Sequence, residues 1–202
     1  MSLMLSMAAF ALAASISPGP VNLVALAAGA RHGLRPALRH VTGATLGFCL
    51  LLLLVGYGLH AVLRQWPGLT EVLRWAGIAF LLYMAWKLAS DNGHLSDGSP
   101  DQAPGMLYGA IMQWLNPKAW LACVAGVGAF VGQGETALLW QFTLIYLVIC
   151  YLSVGSWAWA GTVIRRYLDN PRRMRLFNRS LALLLVASAA CREQAERVLA
   201  LL

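Results

Sequence analysis

The chain has 202 residues, 59% of them hydrophobic and only 11% charged, with fifteen Lys and Arg against eight Asp and Glu for a formal charge of +7. So large an apolar share, gathered in long runs, excludes a soluble domain and points to a polytopic membrane protein. In that setting the basic excess is a topology signal carried by loops, and no nucleic-acid partner is expected.

The first apolar run, about 5–30, has no basic residue before Arg31. It lacks the charged start of a signal peptide and is expected to stay as a helix. Its centre reads Ser15-Ile16-Ser17-Pro18-Gly19-Pro20-Val21-Asn22. About 25 residues suffice to cross a bilayer. A proline inside a helix lacks its N–H and clashes with the carbonyl four residues back. Pro18 and Pro20 are therefore predicted to break this span and free the carbonyls of Ala14 and Ile16. A short basic loop over 31–40, with Arg31, His32, Arg35, Arg39 and His40, leads to a second span at about 41–63. There Gly43 and Gly47 share one helix face, where small residues admit a neighbour, by default one from the same monomer. Pro67-Gly68 marks a turn in the connection over 64–74. A third span at about 73–89 ends in the interfacial residues Tyr83, Trp86 and Lys87.

A polar segment, 90–105, then separates a first repeat, 1–89, from a second, 106–202, within one membrane domain. The fourth span, about 106–131, carries Gln113-Trp114-Leu115-Asn116-Pro117-Lys118 at its centre, where Pro117 should free the carbonyl of Gln113. After a turn at Gly132-Gln133-Gly134-Glu135 comes a fifth span, about 137–164, rich in Trp and Tyr. Six arginines, Arg165, Arg166, Arg172, Arg173, Arg175 and Arg179, precede a last apolar stretch over 181–191. At roughly 17 Å of helix it is short of the ~30 Å hydrocarbon core, and it runs into Arg192, Glu193, Glu196 and Arg197.

The fold class is thus all-α, six transmembrane helices with the sixth short. Arg31, Arg35, Arg39, Lys87 and the six arginines after the fifth span fall on one side, against Arg64 and Arg74 on the other. This bias places both termini outside if the sixth span crosses. Three spans per half put the second half in the membrane upside down, so the matched breaks in spans one and four read as a 3+3 inverted repeat meeting near the midplane.

Lipid cannot satisfy freed backbone groups, so paired breaks mark a site lined by protein or water. Ser17, Pro18, Gly19, Pro20, Asn22, Gln113, Asn116, Pro117 and Lys118 are the candidate substrate-binding residues, with Ser15 beside them. Each half-helix after a proline directs unpaired N–H groups and a positive dipole end at the break, which suits a carboxylate. The freed carbonyls suit an ammonium, and together they suit a small neutral zwitterion. Lys118, about 18 Å of helix from either interface, must face a cavity or a partner. It either contacts a substrate carboxylate, or exchanges a proton during the cycle, or ties helices together by donating to freed carbonyls. Cys49, Cys123, Cys150 and Cys191 show no CxxC spacing or neighbouring His and read as small hydrophobes, so no metal site or disulfide framework is expected. His32, His40, His60 and His94 sit in loops or at span ends. With no catalytic constellation at membrane depth, an enzyme is not expected and no cofactor is implied. A membrane scaffold or receptor on the same fold is the alternative to a carrier.

These residues resemble the LysE/RhtB family of bacterial amino-acid exporters over nearly the whole chain. The likeness rests on Ser17-Pro18-Gly19-Pro20-Val21-Asn22, Gly33-Leu34-Arg35, Gly43 through Gly47, Leu73-Arg74-Trp75-Ala76-Gly77, Ala85-Trp86-Lys87 and Gln113 through Lys118. The resemblance implies an inner-membrane secondary transporter that expels amino acids or derivatives by proton exchange, often as a homodimer. Many members carry an aspartate directly after the second glycine of the second helix, where this chain has Phe48. With that residue the chain is more similar to the branch that exports cysteine and O-acetylserine, and no coupling scheme here runs through that aspartate. Val21 before Asn22 and the charged tail from Arg192 also depart from the family pattern.

Overall fold

A computed structural model of the chain describes residues 2–58, 65, 67–90, 103–131, 135–168 and 170–199. Its secondary structure there is helical: α1 (Leu3–Ile16), α2 (Pro20–His32), α3 (Leu34–Gly56), α4 (Pro67–Ala89), α5 (Met106–Trp114), α6 (Pro117–Phe130), α7 (Thr136–Arg165) and α8 (Pro171–Leu199). α3 and α7 are each long and apolar enough to cross a membrane, and α1 with α2, bent by 61° at their break, make a third such span. α1 starts on Ser2, whose hydroxyl accepts from the N–H of Leu5. Prolines open α2, α4, α6 and α8, where a missing N–H costs nothing. Gly33, at φ 83°, joins α2 to α3 in one residue, a left-handed conformation that favours glycine.

Close helix packing rests on glycines. A methyl group added to Gly29 of α2 would fall 2.0 Å from the Ala158 carbonyl oxygen of α7, and one on Gly161 2.1 Å from that of Leu26. Between α3 and α5, Gly43 would place a methyl 1.8 Å from the Met106 carbonyl oxygen, and Gly109 one 2.4 Å from that of His40. The backbones touch at these crossings, as small residues permit. α4 packs mainly on α8. The outward faces are apolar: Leu107, Leu121 and Leu183 are 74%, 69% and 71% exposed, a surface that fits hydrocarbon and not water.

Several boundaries differ from the sequence reading. α3 begins at Leu34, so the loop predicted over 31–40 shrinks to Gly33, and His40 is fully buried within a helix. Arginines with long apolar stems do not stop a helix, and only Gly33 supplies the turn. α4 begins at Pro67, not 73, because Pro-Gly can start a helix as well as turn a chain. The last helix is 29 residues long, so the apolar stretch 181–191 is only its middle. The polar stretch over 91–102, the turn at 132–134 and the side chains of the charged tail lie outside the described residues.

Candidate binding site at the paired breaks

The two breaks meet. α1 ends at Ile16 and α2 begins at Pro20, while α5 ends at Trp114 and α6 begins at Pro117. Asn116 caps α6, its Oδ1 accepting from the N–H of Lys118 at 3.1 Å. Lys118 sits in the first turn of α6, where the helix dipole disfavours a cation, and reaches instead to the carbonyl end of α1. Its Nζ donates to the carbonyl oxygen of Ser17 at 2.6 Å, to Ser17 Oγ at 2.8 Å and to the carbonyl oxygen of Pro18 at 3.5 Å. Gly19 leaves room for this reach: a methyl there would lie 3.3 Å from Lys118 Cδ.

The carbonyls expected to be freed all have donors. The Ala14 oxygen accepts from Ser17 Oγ at 3.2 Å, that of Ile16 from the Trp157 indole at 3.0 Å, and that of Gln113 from the N–H of Asn116 at 3.1 Å. Asn22 Nδ2 donates to the carbonyl oxygens of Ser15 at 2.9 Å and Ser17 at 3.0 Å, pinning the start of α2 to the end of α1. The chain therefore satisfies its own breaks in this state, and the ammonium partners predicted for a ligand are held by Lys118, Asn22 and Trp157.

Ser15, Gly19, Asn22, Gln113, Asn116 and Lys118 line one cavity of about 30 Å³ between the breaks. That is room for one or two waters, less than an amino acid needs. Pro18, Pro20 and Pro117 shape the breaks, and Ser17 holds Lys118. The far wall was not legible as a site: Phe48 stacks on Tyr146 with ring centroids 4.2 Å apart, and Cys150 lies beside them. Ser15 Oγ is buried there without a hydrogen-bond partner among the described residues. The available signals were Phe48, singled out by its departure from the family pattern, and Tyr146 near the middle of an apolar span, where a hydroxyl needs a reason to be. Cys49, Cys123 and Cys150 are buried free thiols.

Away from the breaks, Phe10, Phe130 and Phe142 of α1, α6 and α7 form an aromatic cluster with centroids 5.4–6.2 Å apart. Phe142 also meets the ring of Tyr146 edge-on at 5.5 Å, linking the cluster to the cavity wall.

A bundle of outward-apolar helices whose broken members converge on a polar cavity fits a membrane transport protein. The chain belongs to the LysE type translocators, whose family pattern it matches over residues 12–191. It is 30% identical over 182 residues to the cysteine/O-acetylserine efflux protein of Salmonella typhimurium, covering 89% of this chain and 92% of that protein. The protein of the same description from Escherichia coli O6:H1 matches to the same extent. No solved structure matches the chain.

Proposed function

We propose that this protein exports small neutral amino acids or derivatives of the cysteine/O-acetylserine kind across the bacterial inner membrane, by proton antiport and with its cargo held between the two breaks. The observation that carries this reading is the Lys118 bridge, since a side chain of one break hydrogen-bonds the backbone of the other at 2.6 Å. A carboxylate arriving at Lys118 competes with the Ser17 oxygens, so binding loosens the tie between the breaks. The cargo ammonium then takes the Ser15 and Ser17 carbonyls, while the N-termini of α2 and α6 face the carboxylate. Lys118 is the cation on the cavity wall and the group through which proton exchange runs.

Alternating access in this scheme is the rocking of two inverted repeats. Partner exchange among the helices supports it: the first broken span packs on α7, the second on α3, and α4 on α8. This is the pairing expected of repeats related by a pseudo-two-fold axis. Both termini face outside, as the distribution of arginines favours, and on that orientation the Phe10, Phe130 and Phe142 cluster closes the outer path. The protein works as a homodimer, as the family resemblance implies.

The test is efflux from proteoliposomes loaded in turn with cysteine, O-acetylserine, threonine, leucine and lysine, with and without a proton gradient. Gradient-enhanced efflux of a small neutral amino acid, lost in Lys118→Ala, is the expected result. Absence of efflux from folded protein would overturn the reading in favour of a scaffold or receptor.

A further inference from the structure

A second and larger cavity, about 450 Å³, lies between α2, α4, α5 and α8, beside the end of the molecule where the arginines gather. Its volume is in the range of small-molecule sites. Three basic side chains line it, Arg31 and His32 from the end of α2 and Lys87 from the end of α4. The charges of Arg31, Lys87 and Arg165 all act on the His32 ring. Asn178 of α8 completes the wall. It is 4% exposed. His32 Nδ1 is buried without a hydrogen-bond partner among the described residues, and a buried polar atom without a partner marks a place where one is expected. By contrast the Tyr108 hydroxyl, on the same wall, is taken by Met84.

This cavity and the one at the breaks share a wall. Val21 and Asn22 border the smaller cavity and Val24 the larger, so about one turn of α2 separates them. His40 fills the partition, its Nε2 3.3 Å from the Val21 carbonyl oxygen and its ring 6.0 Å from that of Tyr108.

We propose that the larger cavity is an antechamber for a small oxyanion, in which Lys87, His32 and Asn178 hold the carboxylate of a zwitterionic cargo before it passes along α2 to the breaks. The proposal rests on the exporter reading and on the basic end facing the cytoplasm. Cationic groups raise the local concentration of an anionic group in a low-dielectric cleft, and a neutral amide donor fixes its position. The same chemistry also suits the phosphate of a lipid headgroup, so the test separates the two sources.

Ala27 and Leu88 line the antechamber and serve as reporter positions. Ala27→Cys, or Leu88→Cys should the first not fold, is placed in full-length protein carrying Cys191→Ser. Thiol modification is followed in proteoliposomes with methanethiosulfonates bearing either a sulfonate or a trimethylammonium group. The sulfonate is expected to react at least fivefold faster. O-acetylserine is expected to slow the reaction threefold or more, whereas its methyl ester, which lacks the carboxylate, leaves it unchanged. Lys87→Gln and Asn178→Ala should each remove most of this protection, while Lys118→Ala should keep it. Protection absent, equal for the methyl ester, or intact in the Lys87→Gln/Asn178→Ala double variant overturns the proposal. Protection that appears only in phosphatidylglycerol vesicles and not in phosphatidylcholine, with none from O-acetylserine, assigns the cavity to a lipid headgroup and overturns it as well. Failure of the exporter reading shows differently, as absence of efflux from folded wild-type protein.

Discussion

Lys118 of the second break and Ser17 of the first, 101 residues apart, are joined by two hydrogen bonds of 2.6 and 2.8 Å through the ammonium. The bridge satisfies a lysine set among apolar helices and a carbonyl left over from a broken helix with one contact. It also makes the two halves of the molecule report on each other at the point where cargo is proposed to sit.

Removing the bridge with Lys118→Ala is expected to reduce efflux at least tenfold. Bonds from a charged donor contribute about 1.5–3 kcal/mol, so the melting temperature in detergent should fall as well. Ser17 retains the Asn22 amide, which keeps the fold assembled. Wild-type transport by folded Lys118→Ala protein contradicts the role assigned to the bridge.

Gly19→Ala separates the functional effect from the structural one. The new methyl would stand 3.3 Å from Lys118 Cδ and 3.4 Å from Nζ, against a flexible side chain that can yield. Folding should change little, by less than about 1 kcal/mol, while the displaced ammonium lowers transport severalfold. Efflux measured at matched protein levels checks this, and unchanged efflux would show that the position of Lys118 is not limiting.

Asn22→Asp replaces an amide donor to two carbonyls by oxygens that repel them. The loss of two buried bonds and the new repulsion should cost about 2 kcal/mol or more. Asn22→Asp is expected to yield less folded protein than Asn22→Ala, as seen by size-exclusion chromatography.

Glycines divide into two groups by what surrounds them. Gly29→Ala and Gly43→Ala drive a methyl to within 2.0 and 1.8 Å of a backbone oxygen on another helix, which no rotamer change relieves. Each should destabilise by about 1–3 kcal/mol or prevent assembly. Gly128→Ala and Gly155→Ala meet no atom within 4 Å, and each should stabilise its helix by about 0.5–1 kcal/mol. Thermal unfolding of the four variants decides the matter.

Phe142→Ala opens the aromatic cluster. Phe142 is fully buried, so the truncation should cost about 3–5 kcal/mol. In the protein that remains folded, Cys150 on the cavity wall should become reactive to a membrane-impermeant thiol reagent added outside, whereas wild type should resist it. Equal reactivity would place the outer closure elsewhere.

Much of this protein was legible from its residues. The prolines at 18, 20 and 117 dictate where helices break, since a missing N–H cannot be restored by any partner. Long apolar runs dictate membrane helices, because backbone groups in lipid must pair within the segment. Lys118 stood out because an ammonium at that depth needs an acceptor. Helix starts were less legible: nothing in the order of residues distinguishes an arginine in a loop from one in the first turns of α3, and tertiary packing decided it. The wall of Phe48, Tyr146 and Cys150 was hidden for another reason. Aromatic and thiol side chains in apolar spans look alike in sequence whether they face lipid or a neighbour. Only the crossing of α3 and α7 turned them toward the breaks. Likewise the sequence determined that carbonyls would be freed at Ala14, Ile16 and Gln113, through the fixed geometry of proline. Which groups would satisfy them depended on distance in space, and the tertiary structure brought Trp157 to Ile16 and Lys118 to Ser17.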